Sequence, residues 1–126
     1  MNSRPESARL GQTGERLAQA FLEDLGYRFV GRNWHCTQGE LDLIMLDGDE
    51  LVFVEVKTRR GEGSGRAGES VSSKKTARLL GSAEWYIAQH TEHQERVWRC
   101  DLVAITMSGS TQQPKILHVV NAIVTG

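Results

Sequence analysis

The chain has 126 residues, 39% of them hydrophobic and 25% charged, with a formal net charge of −1. That is enough chain for one domain holding a single sheet and two helices, and the near-neutral balance excludes a protein that coats polyanions indiscriminately. No apolar run is long enough to cross a bilayer, the first residues lack the apolar segment of a signal peptide, and Cys36 and Cys100 are too few and too far apart for a disulfide framework or a zinc site. A cytoplasmic protein with reduced, packed thiols and no membrane partner is expected.

Residues 1–10 read as a polar, frayed tail and residues 11–126 as the folded domain. Over 11–25, Leu17, Ala18, Phe21, Leu22 and Leu25 fall on one helical stripe, with Thr13 placed as an N-cap and Gly26 as the C′ stop. Glu15 lies at the edge of that stripe, either as a first-turn partner of the helix dipole or as an acid reaching over a sheet. Residues 27–34 alternate as a strand, Tyr27, Phe29 and Gly31 against Arg28, Val30 and Arg32, and form the edge of a meander. Residues 35–38 are the following turn, with His35 a surface histidine.

The next stretch carries the chemistry. Asp47-Gly48-Asp49-Glu50, with apolar alternation on both sides, is a two-residue hairpin loop at Gly48-Asp49 that pairs Asp47 with Glu50. The same register sets Leu46 opposite Leu51, Ile44 opposite Phe53, Asp42 opposite Glu55 and Glu40 opposite Lys57. Glu40, Asp42, Ile44, Phe53, Glu55 and Lys57 then share one face, and Leu41, Leu43, Val52, Val54 and Val56 the other.

Two carboxylates directly across an antiparallel pair have Cβ atoms about 5 Å apart and repel. In strands this apolar they also lose hydration, so something must compensate them. A hard cation, Mg²⁺ or Mn²⁺, held by Asp42, Glu55 and the carbonyl oxygen of Val56 would do so, with Lys57 beside the reacting water. The plainer reading is the wet end of an amphipathic hairpin with Lys57 as an ion-pair partner. Asp42, Glu55 and Lys57 taken together favour the metal site.

Residues 58–70 hold Gly61, Gly63, Gly65 and Gly68 among charged side chains and read as a long loop, either a substrate clamp or a plain connector; the glycines match no phosphate-binding fingerprint. From Lys57 to Arg78 there are seven basic residues (Lys57, Arg59, Arg60, Arg66, Lys74, Lys75, Arg78) against Glu62 and Glu69, a local excess of five positive charges. Such a run is either a solvated face or a phosphate-binding one.

A second helix is expected over 71–90, capped by Ser70 or Ser72, with Ala77, Leu79, Leu80, Ala83, Tyr86 and Ile87 on its apolar side and Gly81 permitting close packing. Lys74, Lys75 and Arg78 in its first turns oppose the helix dipole, a small cost that a phosphate would relieve. Residues 91–95 connect to a strand over 97–107 that carries Asp101 near its start. After a loop over 108–114, a last strand covers 115–124. A strand that follows a crossover helix lies parallel to an earlier one.

A helix with an early Glu15, then Gly39-Glu40-Leu41-Asp42-Leu43-Ile44, Phe53-Val54-Glu55-Val56-Lys57-Thr58-Arg59, a Lys-rich helix and Arg99-Cys100-Asp101-Leu102-Val103-Ala104-Ile105 resembles the YraN-like bacterial family. Cys100 stands where that family usually has an aromatic residue, a packing change. The family is similar to archaeal Holliday-junction resolvases of the PD-(D/E)XK, restriction-endonuclease-like superfamily. The resemblance runs from about residue 11 to the end of the chain. It implies an α/β fold with an αβββαβ core, a mixed sheet flanked by helices. It assigns Asp42 and Glu55 to metal binding, Lys57 to the nucleophilic water and Glu15 to an auxiliary acid.

The expected activity is metal-dependent hydrolysis of DNA phosphodiester bonds, at branched or junction DNA, with Glu15, Asp42, Glu55 and Lys57 catalytic. Arg59, Arg60, Arg66, Lys74, Lys75 and Arg78 would hold phosphates without reading sequence. A junction substrate would favour a homodimer. The alternative is a non-catalytic nucleic-acid or protein adaptor on a nuclease fold.

Overall fold

The computed structural model describes residues 6–60, 73–107 and 113–123. In chain order these form α1 (Glu6–Asp24), β1 (Arg28–Cys36), β2 (Gly39–Asp47), β3 (Glu50–Arg60), α2 (Ser73–Gln89), β4 (Trp98–Met107) and β5 (Lys115–Ile123), with a short 3₁₀ turn at Thr91–His93. One five-stranded sheet runs in the order β1-β2-β3-β4-β5. The expected αβββαβ core is present, in a mixed sheet: β3 and β4 are parallel, joined through α2, and the other neighbours are antiparallel. No helix among the described residues is long and apolar enough to cross a membrane.

Helix α1 starts at Glu6, five residues before the expected position, so residues 6–10 are helix rather than frayed tail and Thr13 lies inside the helix rather than at its N-cap. Ala8, Arg9 and Leu10 are strong helix formers, and a single glycine such as Gly11 costs only about 1 kcal/mol, too little to end a helix whose next turns are buried. Its C-terminus is the expected one. Gly26 takes φ +98° and donates its N–H to Glu23 O at 2.9 Å, while Tyr27 N–H reaches Leu22 O at 3.0 Å. This reversal leaves Leu25 56% exposed, off the stripe on which Ala18 and Leu22 are fully buried.

The sheet is buried on both faces. On the α1 side Leu43, Met45, Val52, Val54, Val103 and Ile105 pack under Ala18 and Leu22. On the α2 side Leu41, Ile44, Leu46, Leu51 and Phe53 pack under Leu79, Ala83 and Tyr86. Each large side chain so buried contributes roughly 1.5–3 kcal/mol. Ala77 is exposed rather than on the apolar side, because it lies in line with Glu84 two turns on. Gly81 admits close approach as expected: an added Cβ would sit 3.1 Å from Oε1 of Gln38.

Strand β1 is the expected edge, but its alternation is broken. Phe29 pairs with Met45 and Gly31 with Ile44, so Val30 is a bulge residue. Val30 and Trp34 therefore pack on the α2-side core while Tyr27 joins the α1 side. Strand β3 also runs further than expected, through Thr58, Arg59 and Arg60, because these pair with Ile105, Thr106 and Met107 of β4. The glycines of the expected loop (Gly61, Gly63, Gly65 and Gly68), Arg66, the caps Ser70 and Ser72, and residues 108–112 lie outside the described residues.

At the hairpin end of the sheet, fully buried Asp101 accepts hydrogen bonds from Arg99 Nε (2.9 Å), Arg99 Nη2 (3.2 Å) and Asn121 N (2.8 Å), and its Oδ2 lies 2.8 Å from His118 Nε2. The same guanidinium reaches Glu50 at 2.8 Å and Tyr27 OH at 2.7 Å. A buried acid is tolerable only when its lone pairs are met this completely. The network ties β5 to β4, and through Arg99 to the β2–β3 turn.

Candidate active site

The site lies where β2 and β3 part. Their ladder runs from Asp47–Glu50 to Leu43–Val54, in the expected register, and stops there. Asp42 and Glu55 are therefore not a ladder pair, nor are Glu40 and Lys57. In place of a ladder carbonyl, Oδ2 of Asp42 accepts the Val56 N–H at 2.9 Å. The alternation slips at the same point: Leu41 packs into the α2-side core with Ile44, not on the side of Leu43. A strand released from its partner is free to re-aim its side chains, and a carboxylate that takes a backbone donor fixes the new arrangement.

The two acids nevertheless meet. Burial first, and then the charge of Glu55, pushes the Asp42 carboxyl up to about 8, against the opposing Val56 hydrogen bond; Glu15 and Glu40 add to the push. Glu55 is itself 6% exposed. A group of acids crowded until one resists ionisation is an arrangement that structure alone gains nothing from.

Glu15 arrives from α1. Burial raises its carboxyl above the ordinary value and the charges of Glu40 and Glu55 raise it further, while a hydrogen bond from Asn33 and the charge of Arg32 hold it back. Asn33 can aim at Glu15 because it adopts the left-handed conformation, φ +53°, which asparagine tolerates better than most residues. Helix α1 comes this close because of Gly14, where any Cβ would overlap the side chain of Thr58 on β3. Among the described residues the buried hydroxyl of Thr58 has no hydrogen-bond partner beneath that contact.

Residues 14–105 match the model of the uncharacterised protein family UPF0102. The chain belongs to the UPF0102 family. It is 41% identical over 115 residues to a UPF0102 protein of Roseiflexus castenholzii, covering 91% of this chain and 93% of that one. It is 41% identical over 122 residues to one of Pseudomonas aeruginosa (97% and 98% of the two chains), and 42% identical over 101 residues to one of Chloroflexus aurantiacus (80% and 82%). The YraN-like resemblance of the sequence holds at this family level.

In this UPF0102 protein the matched span takes in Glu15, Asp42, Glu55 and Lys57, and also Lys75 of α2. Lys75, read from sequence as a phosphate contact on the helix face, places Nζ 2.9 Å from Oε2 of Glu55. Burial works against its charge, but Glu55 more than offsets that and keeps it protonated beyond the ordinary range. Lys57 lies against Lys75, and this contact first, with burial and the charge of Lys75, lowers its affinity for a proton. Lys75 thus shares a pocket wall with the two acids, and Lys57 lies behind it in contact with Lys75.

The acids open onto a cleft of about 570 Å³ whose wall includes His35, Glu40, Asp42, Glu55, Val56, Lys75 and Arg78. Arg78 is an exposed part of that wall, and the charge of Arg59 is felt by Lys57. Arg60 is exposed at the end of β3. Lys74 lies in the first turn of α2 and Arg66 outside the described residues. Three of the six basic residues expected to hold phosphate, Arg59, Lys75 and Arg78, therefore line the cleft or act on Lys57.

The sequence groups Lys75 with the phosphate contacts and gives Glu40 only a place on the strand face, and it does not single out Asn33 or Gly14. Two of these were legible. Lys75 stands four residues before buried Leu79 and eight before Ala83, on the stripe that faces the sheet; Gly14, Ala18 and Leu22 form one line of the α1 contact face. Of the two thiols expected to be packed, Cys100 is buried and pushed up to about 12 by burial and Asp101, whereas Cys36 is half-buried on the cleft wall, 3.6 Å from Ser82 Oγ.

Proposed function

We propose that this UPF0102 protein is a divalent-metal-dependent endonuclease that hydrolyses DNA phosphodiester bonds, at branched or junction DNA. The observation that carries the reading is the crowding of Asp42 against Glu55 on the wall of an open cleft, to the point that Asp42 resists ionisation, with Lys57 near enough to feel the charge of Glu55. The likeness of the sequence motif to PD-(D/E)XK resolvases points the same way.

The donor set fits a hard cation. Carboxylate oxygens of Asp42 and Glu55 and the carbonyl oxygen of Val56 are the oxygen ligands that Mg²⁺ or Mn²⁺ prefers, and a positive ion relieves the repulsion between the two acids. Among the described residues no three His, Cys, Asp or Glu side chains enclose an ion by themselves. That is in keeping with Mg²⁺, which retains waters and takes one or two carboxylates plus substrate phosphate. Bound there, such an ion supplies Lewis acidity that lowers the pKa of water and offsets charge on the scissile phosphate.

The chain's own groups do the rest. Lys57, held in reach by β3, orients the attacking water and stabilises the oxygen on which charge develops. Glu15, its carboxyl raised above the ordinary range by burial and held by Asn33, is the auxiliary acid at the rim of the pair. Arg59, Arg60 and Arg78 hold flanking phosphates and position the strand without reading its sequence.

A second reading, a non-catalytic nucleic-acid or protein adaptor, is favoured by one observation: the Lys75–Glu55 ion pair at 2.9 Å is what a purely structural acid site would contain. Incubation of labelled linear, flapped, single-stranded and four-way-junction DNA with Mg²⁺ or Mn²⁺ separates the two. The nuclease cuts at least one of them and EDTA stops it. Metal-independent DNA or protein binding with no cleavage of any substrate identifies the adaptor.

A further inference from the structure

Glu55 is 8% exposed in its side chain, and its Oε2 meets the ammonium of Lys75 at 2.9 Å, while Lys75 itself is 37% exposed toward the cleft. Lys75 also contacts Lys57, so a second cation stands next to the one the hydrolysis reading needs. A buried carboxylate without a positive partner is costly, and two crowded ones more so. The positive charge that makes the site tolerable without a metal comes from α2, across a segment of chain remote in sequence from the strands that carry the acids.

We infer that Lys75 is the resident counter-ion of the acid pair: its ammonium occupies Glu55 in the metal-free protein, and a divalent cation must displace it to bind. The inference rests on the reading of Asp42 and Glu55 as metal ligands. An ammonium and a divalent ion cannot both sit on one carboxylate oxygen without close like-charge contact, so the two compete. Lys75 is in this sense a positioning residue. It holds Glu55 in its rotamer when the site is empty of metal, and it sets how much metal is needed to fill it. A lysine is suited to the exchange because its single-point charge sits on a flexible four-carbon stem, partly solvated here, and can swing away without breaking a two-pronged contact.

The sign of the effect distinguishes this role from the other two that Lys75 could have. A lysine that only contacts phosphate leaves metal affinity unchanged in the absence of DNA. A lysine that only scaffolds Glu55 weakens metal binding when removed. A competing counter-ion tightens it.

The test is Mn²⁺ binding to the full-length protein without DNA, by calorimetry or by the loss of the free-ion electron paramagnetic resonance signal. Wild type is compared with Lys75→Met, Lys75→Gln and Lys75→Arg. The expected result is a Kd for Mn²⁺ lowered about tenfold in Lys75→Met and Lys75→Gln, and close to wild type in Lys75→Arg, which restores the charge. Thermal unfolding in EDTA is read alongside: Lys75→Gln unfolds at lower temperature than wild type, and Mn²⁺ raises it by more than it raises wild type. Should Lys75→Met not purify as a folded protein, Lys75→Gln carries the comparison, since it keeps a hydrogen-bond donor for Glu55. Equal or weaker Mn²⁺ binding in the uncharged variants, with wild type binding normally, overturns the counter-ion role and leaves the metal site standing. Failure of every form, wild type included, to bind Mn²⁺ overturns both.

Discussion

Replacing Asp42 by asparagine removes a charge that the folded site resists while keeping a side-chain oxygen to accept the Val56 N–H. The carboxyl moves from an ordinary 3.8 to about 8 on folding. At about 1.36 kcal/mol per pKa unit, holding it ionised costs the folded state no more than roughly 6 kcal/mol. A folded-state pKa raised above the unfolded one means stability that is fully present below about pH 4 and is lost as the pH rises through about 8. Wild type in EDTA should therefore weaken across that window, whereas Asp42→Asn, which does not titrate there, should not. At about pH 8.5 the variant is expected to be more stable than wild type by at least about 2 kcal/mol, a gain of roughly 6 °C in Tm for a chain of this size. Near pH 5 the gap should shrink by more than half. Urea denaturation followed by circular dichroism at both pH values reads it, and saturating Mg²⁺ should stabilise wild type but not the variant. An Asp42→Asn protein no more stable than wild type at about pH 8.5, or more stable by the same amount at both pH values, refutes the crowded-acid account.

The other predictions concern how the site is held and what it holds. Gly14→Ala should destabilise by about 1–3 kcal/mol because its Cβ overlaps Thr58, and Thr58→Ala should recover part of that loss in a double-mutant cycle measured by chemical denaturation. Asp101→Asn should cost roughly 3 kcal/mol by leaving the Arg99 guanidinium, 9% exposed, short of its buried partner, while Mn²⁺ binding stays at the wild-type level. Arg59→Ser, Arg60→Ser and Arg78→Ser should each weaken DNA binding alike across sequences and reduce the slope of log K against log salt by about 0.9, as fluorescence anisotropy at several salt concentrations would show.

Much of this arrangement was open to a reading of the residues, and the reasons differ from place to place. The β2–β3 hairpin was legible because Gly48 between two alternating runs fixes both the turn and the register, and with them the nearness of Asp42 and Glu55. Where the ladder stops was not legible. Alternation carries no mark of the point at which Asp42 takes the Val56 N–H, so Leu41 fell on the wrong side, and the Val30 bulge misled for the same reason. The start of α1 was set too late because Gly11 and Thr13 look like a boundary, while the buried turns beyond them supply the stability that carries the helix back to Glu6. The Lys75–Glu55 ion pair was not legible because charge patterning groups Lys75 with its basic neighbours, whereas this contact is with an acid on another element. The Arg99–Asp101–His118 network is likewise a meeting of two strands and a turn, which no local pattern announces.

The central claim is that Asp42, Glu55 and Lys57 form a hydrolytic metal site. The most direct measurement is the Mg²⁺-dependent cleavage rate of the preferred DNA substrate by wild type, Asp42→Ala and Lys57→Ala, each purified separately. Wild-type cleavage reduced by at least about 100-fold in both variants is the predicted result. The same rate in all three proteins, or none in wild type while it still binds DNA without metal, would contradict it.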